Sequence, residues 1–234
     1  MCWSLRASLA TGALSYVCAY YLFRRRTTHR DRWHAIFLFT FSSMQWLEAA
    51  LWATDPVNDR CSATNVALST WILPSLLTGE IYVQWACAGI YRLSLHDVQL
   101  SPAWRWCLLM VGIAWVGPIA HLRAPAYFGP RPYCTTVQHT ALRWISTERQ
   151  IPEPLICMWV AAITAPLLAM KPLAAGATFA IAGSSLALGV YLTVGNGVFG
   201  SRWCWISCWL GLLMLLDPWL FGSAVPGAPL RKTR

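Results

Sequence analysis

The sequence predicts an all-α fold: a polytopic integral membrane protein of seven transmembrane helices, its N-terminus outside and its C-terminus cytosolic. Three observations carry that expectation. Hydrophobic residues fill 57% of the 234 positions and charged ones only 12%, about half the ~25% of a soluble domain. Apolar runs recur at the ~20 residues that a helix needs to cross ~30 Å of hydrocarbon. Basic residues, finally, gather on one side of those runs. Disordered, collagenous, coiled-coil and disulfide-stapled secreted classes are excluded by the same composition.

The expected spans are Ser4–Phe23, Trp33–Ala53, Val66–Tyr91, Trp104–Leu122, Pro154–Met170, Pro172–Gly195 and Trp203–Phe221. Helices are preferred to strands because the runs are long and lack period-2 alternation, and a helix satisfies its own backbone in lipid. Residues 1–222 thus form one transmembrane domain, and 223–234 a short basic cytosolic tail. In the first span the charges Arg24, Arg25 and Arg26 follow the apolar run. That order predicts a retained anchor rather than a cleavable signal.

With the N-terminus outside, eleven basic residues face the cytosol and seven the outer side. Four of those seven, Arg123, Arg131, Arg143 and Arg149, lie in one long outer loop, where charge counts least. The net charge of +9 therefore reads as a topology signal. No long polar segment exists to bind nucleic acid, so none is expected as a partner. The basic run Arg24–Arg32 reads first as an orientation determinant, the alternative being contact with anionic headgroups at about 1 kcal/mol per charge.

Fifteen tryptophans are many for this length. Trp3, Trp33, Trp52, Trp104, Trp106, Trp203, Trp205 and Trp219 sit at span ends and read as interfacial anchors. Trp46, Trp71, Trp85, Trp115 and Trp159 lie deeper and read as packing residues. The sixth span carries Ala180, Gly183, Ser184 and Ala187. Small residues at four-residue spacing admit close helix approach, within the bundle, in a homo-oligomer or against a membrane-protein partner.

No CxxC pair or Cys/His grouping with zinc spacing occurs among the nine cysteines, so neither a metal nor another cofactor is expected. If the outer face meets an oxidising compartment, Cys61 and Cys134 are the leading disulfide candidates, with Cys2 the alternative partner.

The nine acids can each be placed. Asp31 and Asp97 fall in cytosolic loops, Asp55, Asp59, Glu148 and Glu153 in outer ones, and Asp217 near the inner end of the seventh span. Glu48 and Glu80 remain inside the second and third spans, with Gln45 and Gln84 on their respective helix faces. A mid-span carboxylate costs about 2.5–3.5 kcal/mol on insertion scales and faces a bundle interior or wet cavity. From the helical rise, Glu48 should sit about 7 Å below the outer surface and Glu80 about 10 Å deeper. Pro74, six residues before Glu80, is expected to kink the third span.

Two functional classes follow. The first is a small proton or cation transporter or channel using Glu80, Glu48, Gln45 and Gln84. The second is a non-catalytic scaffold or subunit of a membrane complex, acting through the sixth span. A seven-span receptor fits less well, because Lys171 alone separates spans five and six and leaves almost no cytosolic surface. Enzymatic activity is not expected, since no HxxxH, HExxH, GxSxG or phosphate-loop pattern appears. A retinal protein is excluded because no lysine lies in the last span. The membrane would be the plasma membrane or an endomembrane.

The opening Met1-Cys2-Trp3-Ser4, followed by Ala7-Ser8, resembles the start of an uncharacterised family of multi-pass membrane proteins, a domain of unknown function. Further marks that resemble it are Met44-Gln45-Trp46-Leu47-Glu48, Cys61 and Asn65, Pro74, Cys134 and Trp144, and Gly200-Ser201-Arg202-Trp203. Gln45 and Glu48 reverse a Glu/Gln order common in that family, and His139 is offset from the histidine expected nearer Trp144. The resemblance implies a shared fold and outer-face roles for Cys2, Cys61 and Cys134. It implies no activity.

Overall fold

The computed structural model describes residues 4–25, 27–28, 30–59, 61–96, 134–138, 141–144, 153–170, 172–194 and 199–222. These residues are mostly helical. In chain order they form α1 (Leu5–Arg25), α2 (Arg30–Ala53), α3 (Ala63–Ala67), a π-turn (Leu68–Ile72) and α4 (Leu73–His96). A hairpin of β1 (Thr136–Gln138) and β2 (Ala141–Arg143) follows, then α5 (Glu153–Thr164), a 3-10 turn (Ala165–Ala169), α6 (Leu173–Val194) and α7 (Phe199–Phe221). The expected fourth span and the tail 223–234 lie outside the described residues.

Each helix start is written locally. Ser4 accepts from the Ala7 N–H at 3.2 Å, an N-cap that satisfies one otherwise unpaired donor. Thr28 and Asp31 form a reciprocal capping box, the Asp31 N–H donating to Thr28 Oγ1 and the Thr28 N–H to Asp31 Oδ2, both at 3.1 Å. Asp31 therefore does not sit in a loop as the sequence suggested. It belongs to the first turn of α2 and is fully buried. Ser62 caps α3 in the same way. Just before Pro74, where a kink was expected, lies the π-turn, in which the Leu73 N–H reaches back to the Leu68 carbonyl. The extra residue absorbs the bonds that proline cannot make.

Helix α2 is the hub. It lies against α1, α4 and α7; α7 meets α6, α6 meets α5 and the 3-10 turn, and those return to α4. The ring α2–α4–α5–α6–α7 encloses a core holding Phe37, Phe41, Ile81, Trp159 and Phe179, with α1 outside it in the groove between α2 and α7. Helices α1 and α7 both run antiparallel to α2: Tyr16 meets Ser43 and Arg25 meets Asp31, while Gly211 of α7 rests on Leu38. The buried ion pairs thus collect at one end of the bundle, and the hairpin packs at the other. There Leu142, Val137 and Trp144 join Met44, Leu47, Leu51 and Leu73 in a second apolar cluster.

Two of the described helices are long and apolar enough to cross a membrane, Ala63–Ala88 and Leu173–Thr193. Helices α1 and α2 have the length, at 21 and 24 residues. Their apolar character is diluted by serines, tyrosines and the buried polar groups of α2. Some tryptophan expectations reverse. Trp33 is buried and not an interfacial anchor, because its indole N–H donates to Gln84 Oε1 at 2.8 Å. Trp46 and Trp71 are exposed rather than packed inside; Trp46 lies beside Tyr16 on the outer surface of the α1–α2 pair.

Candidate functional site

At the charged end, α1, α2 and α7 are joined by two carboxylates. Asp217, fully buried, takes a bidentate bond from Arg30: Nε lies 2.8 Å from Oδ2 and Nη2 2.8 Å from Oδ1. His34, one turn along α2 from Arg30, places Nε2 2.8 Å from Asp217 Oδ2. Arg30 also donates to the Gly222 carbonyl. Asp31 accepts from Arg25 Nη2 at 2.6 Å and from the Thr27 N–H and hydroxyl at 2.7 and 2.8 Å. Burial alone would raise the Asp31 pKa, but the Arg25 guanidinium and the Thr27 and Thr28 donors outweigh it and hold the carboxyl below its ordinary range. Arg25 further donates to the Leu215 carbonyl at 2.7 Å, so it fastens α1 to both neighbours.

Among the expected site residues, Glu80 and Gln84 share one face of α4, and both are buried. Gln84 is engaged by Trp33. Neither oxygen of Glu80 has a hydrogen-bond partner among the described residues, although the side chain is only 2% exposed. Buried carboxyls are normally bonded, which sets this one apart.

Glu48 and Gln45 stand elsewhere. Glu48 accepts from the Trp144 indole N–H at 3.2 Å, and Gln45 from the Thr11 hydroxyl at 3.0 Å. The Trp33–Gln84 bond sets the register of α2 against α4. At ~1.5 Å per residue, Glu48 then lies on the order of 15 Å further toward the hairpin end than Glu80. The stacked rings of Phe37 and Phe41 fill the core between these levels. The structure therefore does not bring the two glutamates together, and their separation exceeds the sequence expectation.

At the hairpin end Cys61 is bonded to Cys134, as the leading pairing anticipated; Cys2 lies outside the described residues. Asn65 reads the backbone next to that bond. Its Nδ2 donates to the Thr135 carbonyl at 2.9 Å, and its Oδ1 accepts the Thr135 N–H at 2.8 Å. Ser69, in the π-turn, completes the set with Thr135 Oγ1 at 2.7 Å. The hairpin is thereby fixed over the end of α2, which is how Trp144 reaches Glu48.

The small face of α6 packs within the chain. Gly183 faces the Thr164 methyl, Ser184 donates to Thr164 Oγ1 at 3.4 Å, Ala187 is buried and Ala180 is half-buried against the core. The closest approach is made by Gly176, whose added Cβ would collide with the Leu167 carbonyl oxygen.

The sequence reading missed the Arg30–His34–Asp217 cluster. Its signals were there: Arg30 and His34 at i, i+4 on one helix face, and the Thr28-x-x-Asp31 capping pattern. No known protein family, curated protein or solved structure matches this chain. The likeness to the Met-Cys-Trp-Ser family accordingly rests on the short motifs that carry it.

Proposed function

We propose that the chain is a seven-span membrane protein, N-terminus outside, that passes protons through the interior of its helix ring by way of Glu80. The distribution of polarity supports the membrane reading. Leu192, Trp219 and Ile181 are 73%, 77% and 66% exposed, whereas Asp31, His34, Gln45, Glu48 and Asp217 are fully buried. Lipid rewards that inversion and water penalises it. Two polar ends, one holding the buried ion pairs and the other the disulfide-bonded hairpin, also support a bundle with opposite faces.

The observation that carries the transport reading is the Glu80 carboxyl, enclosed and without a hydrogen-bond partner among the described residues. An unpaired polar group in an apolar interior costs several kcal/mol. An acid kept only to hold helices together would recover that cost by bonding, as Glu48 does with Trp144. A proton fits better than a metal cation, which needs several oxygen ligands. No grouping of three or more His, Cys, Asp or Glu able to hold a metal occurs among the described residues. The scaffold reading gains less support, since the small face of α6 is engaged by Thr164 of the same chain.

The test is pH-gradient-driven proton flux into proteoliposomes holding the purified chain. Wild type and Glu48→Gln should conduct alike, and Glu80→Gln should lose at least ~10-fold. Absent flux in wild type, or equal flux in Glu80→Gln, overturns the proposal.

A further inference from the structure

The turn between α1 and α2 carries a pattern that the packing of the bundle does not require. Arg24, Arg25 and Arg26 run directly into Thr27 and Thr28, so each threonine has arginines two and three residues before it. Arginine at those places is the charge pattern by which basophilic protein kinases select an acceptor hydroxyl. The pattern alone leaves both threonines eligible, and the structure separates them. Thr28 is buried, and its Oγ1 caps the Asp31 N–H at 3.1 Å. Thr27 lies in the bend just beyond α1 and is exposed. Arg24, three residues before it, is exposed as well.

Thr27 touches the group that fastens this end of the bundle. Its hydroxyl donates to Asp31 Oδ2 at 2.8 Å, and its N–H to the same oxygen at 2.7 Å. Asp31 is fully buried and pairs with Arg25, through Nη2 at 2.6 Å and Nε at 3.2 Å. The same guanidinium donates to the Leu215 carbonyl of α7 at 2.7 Å. An exposed hydroxyl is thus one hydrogen bond away from the carboxylate on which the junction of α1, α2 and α7 turns.

We propose that Thr27 is the phosphorylation site of an arginine-directed serine/threonine kinase, and that the phosphate unfastens α1 from α2 and α7. This rests on the orientation proposed above, which puts the α1–α2 turn in the cytosol with kinases and ATP. In the step the Thr27 Oγ1–H bond breaks, its proton passing to the catalytic carboxylate of the kinase. A bond forms between Oγ1 and the γ-phosphorus of ATP as the bond to the β–γ bridging oxygen breaks, and ADP leaves. The product carries about −1.5 to −2 charges and three acceptor oxygens. Oγ1 is then an ester oxygen with no proton to donate, so Asp31 loses the 2.8 Å hydroxyl bond. The phosphate also stands beside the Asp31 carboxylate and competes with it for Arg25, because guanidinium binds phosphate bidentately as it does carboxylate. Asp31 is left buried with fewer partners, which destabilises the junction, and the Leu215 carbonyl loses its donor as Arg25 turns away.

The test treats the purified full-length chain in detergent, where both faces are accessible, with an arginine-directed serine/threonine kinase, Mg2+ and ATP. Mass spectrometry maps the sites, and thermal unfolding compares modified with unmodified chain. Thr27 should be phosphorylated and Thr28 not, and Arg24→Ala should slow the reaction by at least ~10-fold. Modification should lower the Tm of wild type by at least ~2 °C and leave that of Asp31→Asn, which has no carboxylate to repel the phosphate, nearly unchanged. Thr27 left unmodified in detergent, phosphate on Thr28 instead, or an unchanged wild-type Tm overturns the inference, as does an equal loss in Asp31→Asn. Should Asp31→Asn not fold, the wild-type site and Tm decide. The same kinase added outside sealed vesicles should label Thr27 in inside-out ones alone; labelling in right-side-out vesicles overturns the orientation on which the inference rests.

Discussion

Replacing Asp217 by alanine should be among the most destabilising single changes in this chain. The substitution removes an acceptor shared by Arg30 and His34, both buried. Breaking a buried pair from one side leaves the other charge uncompensated and costs about 3–5 kcal/mol. For a chain of this size that corresponds to a fall of about 6–20 °C in Tm. The bonds are not independent, since Asp217 Oδ2 is shared between Arg30 Nε and His34 Nε2. The pair should therefore show coupling: Arg30→Ala and Asp217→Ala together should cost less than the sum of the two, by about 0.5–3 kcal/mol. Thermal unfolding in detergent, followed by tryptophan fluorescence, measures all four species of that cycle. A loss below about 1 kcal/mol for Asp217→Ala, or strict additivity, would refute the claim that these side chains fasten α2 to α7.

Two further outcomes follow from Asp31 and from the approach of Gly176 to the 3-10 turn. Because the folded Asp31 pKa is lowered, its contribution to stability is complete above the unfolded carboxyl value of about 3.9. It is lost as pH falls through the lower folded value; Tm measured against pH should show this acid loss in wild type and much less of it in Asp31→Asn. Gly176→Ala should cost about 1–3 kcal/mol, since the Leu167 carbonyl occupies the place of the new methyl. Gly183→Ala, whose nearest neighbour is a methyl at 3.6 Å, should leave Tm nearly unchanged; equal losses for the two would refute the close approach at the 3-10 turn.

Much of this fold is legible in the sequence because its strongest signals are long and local. Most of the helical runs and the leading disulfide pairing come from the length and position of the apolar stretches. The partnerships were not legible, because they depend on register between helices. Asp31 looked like a loop acid until the box with Thr28 drew it into α2. Trp33 looked like an interfacial anchor until α4 supplied Gln84. The hairpin hides within the long loop, since three-residue strands leave almost no alternation to detect. Glu48 and Glu80 were grouped as mid-span acids about 10 Å apart in depth, and the pairing of α2 with α4 widens that gap.

That separation gives a physical criterion for sorting acids within an apolar bundle. Asp31 and Asp217 each pair with an arginine, and Glu48 takes the Trp144 indole. Their bonds span α1–α2, α2–α7 and hairpin–α2, so each secures an assembly step and needs no further role. Glu80 bonds to none of the described residues, which sets it apart from the other three acids. The charged end ties three helices together, Arg25 joining α1 to Asp31 of α2 and Arg30 joining α2 to Asp217 of α7.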